Sequence, residues 1–184
     1  FKIPPMRYSL GQKDYLGGLL FDKEVSTKLE IHNTAECFHG FNGKSKHTFD
    51  KARKLGFNKL ILESANSHAA NILSQHLKSS ESKIEDTWLN SFQAKRMIAE
   101  YAMADEIYVA SNYSRNSFLE AGVDEQKLHY RPLIVNSRYN NLDRVKAKDG
   151  EHFKIVSVGR IDSTKGLMNK IARRTRVFCS IYEN

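Results

Sequence analysis

Arg160 and Lys165 bracket a turn at Gly159, directly after Phe153, Ile155, Val156 and Val158, whose pattern predicts a short buried strand. Ser163 and Thr164 follow the turn and suit the cap of a helix. A strand, a glycine turn and a helix start aim backbone N–H groups at an anion. Arg160 would chelate two oxygens of a diphosphate, and Lys165 would add a mobile point charge. From these residues alone, an exposed turn that happens to be basic is the simpler reading.

A second group lies earlier. His68 closes the polar loop Ser64–His68, with Asn66 and Ser67 beside it, at the carboxyl end of a strand predicted for Asn58–Glu63. Such a loop is where a hydroxyl or a sugar would bind, with Glu63 either orienting the imidazole or standing as a plain end-of-strand charge. A surface histidine without a role is the competing reading. Ser111 and Arg115 start a predicted helix that would point into the same cleft, although plain helix capping explains Ser111. Cys37 and His39 are two metal-ligand types without a partner pair at zinc spacing, so no metal is expected. Neither a nucleophile elbow nor a P-loop is present.

These residues need elements to hold them. Residues 1–28, with Pro4-Pro5 and Gly17-Gly18, read as loop. A short strand is expected within Glu30–Phe41. Lys44–Leu55 has Phe49, Ala52 and Leu55 on one helical face, with Gly56 as a C-terminal cap. Ile84, Trp88, Leu89, Phe92, Ile98 and Tyr101 recur at helical spacing as core positions through Ala104. A strand at Glu106–Ala110, a helix at Ser111–Ala121 and a strand at Leu128–Val135 follow. The alternation predicts an α/β fold with a Rossmann-like, doubly wound parallel sheet. Residues 1–135 form that domain, 136–152 a polar linker, and 153–184 the start of a second, truncated domain.

The 184 residues are enough for one full core or one domain plus a fragment. No apolar run reaches the length of a membrane span. Two cysteines and no secretory signal point to a reducing, cytoplasmic setting. The net charge of +8 favours anionic partners. Lys44, Lys46, Lys51, Arg53 and Lys54 on one helix suggest contact with an anionic membrane surface, and a solvated face is the plainer alternative.

Read together, Ala104–Val123, Lys127–Asn136 (KLHYRPLIVN) and Phe153–Gly166 (FKIVSVGRIDSTKG) resemble glycosyltransferase family 4. Phe38-His39-Gly40-Phe41 and the helix after it are similar to that family too. The resemblance covers roughly residues 30 to 167. It implies the N-terminal half of a GT-B fold, in which two Rossmann-like domains face across a cleft. It further implies a retaining transfer from a nucleotide sugar to a hydroxyl acceptor, without metal or other cofactor. Arg160, Lys165 and Gly159 would hold the donor diphosphate. His68, Ser67, Ser111 and Arg115 would line the acceptor side.

The chain departs from the family where Ala110 stands for a common proline and where Ile134 and Asn136 stand near a usual glycine and aspartate. The later donor-domain glutamate pair has no counterpart, and the stretch after Leu167 reads as an unrelated tail left by a truncation or frameshift. The chain alone is therefore expected to be inactive. The alternative function is a non-catalytic basic module for RNA or an anionic membrane, although no specific nucleic acid is indicated.

Overall fold

The computed structural model describes residues 10–30, 35–79, 89–134 and 137, with backbone only at 10 and 77–79. Gly159, Arg160, Lys165, the linker apart from Ser137, and the proposed second domain lie outside the described residues. The chain divides into residues 1–133 and 134–184, and the architecture below is that of the first unit.

The elements run α1 (Leu10–Lys28), β1 (Cys37–Phe41), α2 (Lys46–Lys54), β2 (Lys59–Ser64), α3 (Ala69–Ser79), α4 (Ser91–Met103), β3 (Glu106–Val109), α5 (Asn112–Glu120) and β4 (Leu128–Tyr130). The four strands form one parallel sheet in the order β1-β2-β3-β4. Gly40 pairs with Leu62, Leu62 with Ile107, and Ile107 with Leu128. This is an α/β unit with a Rossmann-like parallel sheet.

Strand alternation decides what packs. Leu60, Leu62, Ile107, Val109 and Leu128 join Phe49 and Ala52 of α2, Ala94, Met97 and Tyr101 of α4, and Phe118 of α5 in one core. Burial of that apolar surface is the main favourable term in the fold. Right-handed crossovers that all step in one direction place their helices on one face. The described strands show no reversal of direction, so the second helical layer of a doubly wound sheet is not among the described residues.

The opposite face closes on its own side chains. His39 pairs with Glu63 at 3.3 Å and Lys59 with Glu106 at 2.7 Å. The Tyr108 ring meets His39 at 5.6 Å and His129 at 5.8 Å, with the Arg131 guanidinium 5.1 Å above it.

The expected loop over residues 1–28 is corrected by α1. Its sequence has no apolar stripe, and apart from the Tyr15 ring 5.8 Å from Phe92 its docking rests on a glycine and a polar residue. Gly18 is buried where an added Cβ would lie 3.3 Å from the Gly43 carbonyl oxygen, so the helix approaches the turn after β1 closely. One turn on, Asp22 is fully buried and takes hydrogen bonds from α2.

Three smaller corrections follow. α3 was not expected at all, since among its described side chains the buried ones are a small one, Ala69, and a histidine, His76, with Ile72 and Leu73 partly covered. β4 ends at Tyr130 rather than Val135, and Leu133 and Ile134 are exposed. Phe92, expected in the core, is 61% exposed, because α4 buries the face running through Gln93, Ala94, Arg96, Met97, Glu100 and Tyr101. Gly56 follows α2 at φ +89°, a left-handed conformation that suits glycine, as the sequence implies. Among the described residues, no helix is long and apolar enough to cross a membrane.

Candidate ligand site at the carboxyl edge of the sheet

In a parallel α/β sheet, ligands bind beyond the carboxyl ends of the strands. Here those ends lead into Asn42–Ser45 after β1, Ala65–His68 after β2 and Ala110–Ser111 after β3. The first of these turns is held from beneath by charges.

The head of α2 has the unpaired N–H groups and positive dipole end of any helix start. Its N-cap residue, Ser45, makes no side-chain cap, and its first turn has no acidic residue. Two distant carboxylates supply what is missing. Glu100 of α4 accepts from the Ser45 amide at 2.9 Å, the Lys46 amide at 3.1 Å, the Asn42 side chain at 3.0 Å, and the Gly43 amide. Asp22 of α1 accepts from the His47 amide at 2.7 Å and the Thr48 amide at 2.9 Å.

Arg96 sits between the two carboxylates. Its Nη2 bonds Asp22, and its Nε lies 3.4 Å from Glu100. All three side chains are buried: Asp22 and Glu100 at 0% exposure and Arg96 at 5%. Burial pushes the Glu100 carboxyl up from its ordinary range, against the pull of the Ser45 and Gly43 amides and of Arg96. The head of α2 is thus an anion site that the protein fills with its own side chains.

Asn42 continues the brace. Its Oδ1 accepts from the Tyr101 hydroxyl at 3.0 Å. The Tyr101 ring packs 4.7 Å from Phe118 and 4.8 Å from His68. Burial raises the Tyr101 phenol well above its usual value, so it stays a hydrogen-bond donor.

A cavity of about 470 Å³ opens beside β1, between α1 and the turn after the strand. Phe21 and Val25 of α1, Phe38 and Phe41 of β1, and Lys44 and Ser45 of the turn supply most of its wall. Its size falls within the roughly 300–1,000 Å³ of small-molecule sites.

The sequence candidates sit nearby in structural roles. His68 is 6% exposed and caps α3, its Nδ1 accepting from the Ala70 amide at 3.2 Å. Its backbone N–H donates to Ser117 at 2.8 Å. Ser67 is half-buried in the same loop. The Ser111 hydroxyl caps α5 by accepting from the Ser114 amide at 3.0 Å. Arg115 pairs with Glu125. His68 and α5 are joined through Ser117 and through the Phe118 ring, which meets the imidazole at 5.1 Å. Cys37 and His39 gather no metal set; among the described residues no group of three or more His, Cys, Asp or Glu converges on one.

Asp22, Asn42, Arg96 and Glu100 were missed by sequence reading. The available signal was Arg96 and Glu100, four apart on the same face as Met97 and Tyr101. Charges on an otherwise apolar helix face need buried partners.

The burial of His68 sets a pH dependence. Burial lowers its imidazole pKa below the ordinary 6.5. Between that depressed value and 6.5 the unfolded chain binds a proton that the folded chain refuses. The His68 contribution to stability is therefore complete above that window and lost as pH falls through it. His68→Asn keeps a cap acceptor and removes the titration. The urea midpoint should fall between pH 7.5 and 5.5 more steeply in the wild type than in this variant; parallel profiles would refute the assignment.

No known family profile, no curated protein and no solved structure matches this chain.

Proposed function

We propose that this chain carries the acceptor side of a retaining, nucleotide-sugar-dependent glycosyltransferase of family 4, followed by the start of its donor side. The supporting observation is the sheet. Four parallel strands run in sequence order, and the turns after β1, β2 and β3 open along one edge, as an acceptor site requires. In this reading Ser67 and Ser111 border the hydroxyl acceptor, while His68 and Arg115 position the loop and the helix that carry them. Gly159, Arg160 and Lys165 hold the donor diphosphate and stabilise the charge of the departing nucleotide. The chemistry calls for no metal.

Titration calorimetry with UDP, GDP and ADP tests it. A few phosphate contacts without a base pocket give a dissociation constant on the order of 1 mM. Arg160→Ala and Lys165→Ala should each weaken that binding several-fold. Nucleotide binding indifferent to both substitutions, or none at all, sinks the reading. Binding to RNA or anionic vesicles that falls steeply with salt and ignores nucleotides favours a basic binding module instead. On α2 that module would rely on Lys46, Lys51 and Lys54, because Arg53 is already bonded to both carboxylate oxygens of Asp105.

A further inference from the structure

The cavity beside β1 is lined by residues of α1, β1, the turn after it and the start of α2, and its wall has its own chemistry. Phe21 and Phe41 flank it at 57% and 63% exposure. Large aromatic rings left in water at the mouth of a cavity are apolar surface that a ligand would cover.

The polar groups of the turn are already committed. The amides of Gly43, Ser45 and Lys46 bond Glu100, and that of Thr48 bonds Asp22. The Phe41 carbonyl accepts from the Lys44 amide at 3.2 Å and from the Ser45 hydroxyl at 2.8 Å. The His39 imidazole is engaged with Glu63. The wall therefore offers a ligand apolar contact and few hydrogen bonds. Lys44 is the exception: it is exposed and makes no ion pair among the described residues. Phosphate is not the natural occupant, because the amide nest at the head of α2 is filled by Glu100 and Asp22.

We infer that this cavity binds the apolar tail of a single-chain amphiphile whose anionic head pairs with the Lys44 ammonium. Phe21, Val25, Phe38 and Phe41 enclose the tail, and the head stays at the solvent edge, where an ion pair costs little desolvation.

Decanoate and octyl β-glucoside, both below their micellar concentrations, are the probes, read by calorimetry and by backbone amide shifts. Both should saturate at one per chain and shift the amides of residues 38–45. Lys44→Ala should weaken decanoate about fivefold, as loss of one exposed ion pair does, and leave the glucoside unchanged. Val25→Trp fills the cavity and should abolish both. Phe21→Ala, at an exposed helix position, should weaken both and serves if the tryptophan variant does not fold. Phosphatidylglycerol vesicles form the other arm. Vesicle binding without saturable binding of either monomeric probe, or probe binding indifferent to Phe21 and Val25, overturns the inference.

Discussion

Replacing Arg96 by leucine should destabilise the fold by about 3–5 kcal/mol, the usual cost of removing one partner from a buried ion pair. Arg96 is the only cation bonded to Asp22 among the described residues, and it also faces Glu100. Both carboxylates are fully buried. Without the guanidinium, two carboxyl groups would remain within one apolar interior, held by backbone and side-chain amide N–H groups and the Thr48 hydroxyl but by no cation among the described residues. The expected result is a urea midpoint far below that of the wild type at neutral pH. Arg96→Lys should recover only part of the loss, because a single ammonium lacks the planar fork that reaches both carboxylates. A cost under about 1 kcal/mol, an exposed-pair value, would show that the triad does not join α1, α2 and α4 as described.

Phe118→Ala should cost a similar amount, about 3–5 kcal/mol for a fully buried phenyl ring. The ring is 0% exposed and stands edge-on to Tyr101 at 4.7 Å and to His68 at 5.1 Å. Aromatic contacts of this kind add to the plain burial of area. The cavity would also admit water beside His68 and relieve its desolvation. The imidazole pKa, followed by NMR, should then rise back toward its ordinary value. A large loss of stability with no change in the titration would separate the packing role of Phe118 from any influence on His68.

Both substitutions act beneath the carboxyl edge rather than on it, which explains how little of the site the sequence disclosed. Apart from α3, the strand and helix pattern from β1 through α5 was legible because the elements carry their own period: Leu60 and Leu62 alternate, and Phe49 and Ala52 fall on one helical face. Ser111 and Gly56 were legible as caps because capping is a local matter of one side chain or one backbone angle. α1 was not legible, since a buried glycine and a buried aspartate dock it and neither raises an apolar periodicity. Phe92 was misplaced for the related reason that period alone does not fix which side of a helix faces the core.

The amino-acid sequence by itself determined a basic α/β chain whose short apolar runs and helical stripes alternate in the manner of a parallel sheet. Those are properties of neighbours, and local periodicity and capping chemistry suffice for them. Only the tertiary structure decided that His68 is a buried cap, that the head of α2 is filled by Asp22 and Glu100, and that Arg96 ties them together. The bonded atoms of Asp22 and Arg96 belong to residues 74 apart in the chain, and those of Glu100 and Gly43 to residues 57 apart. Contacts across such distances leave no local pattern; they exist once the helices have packed.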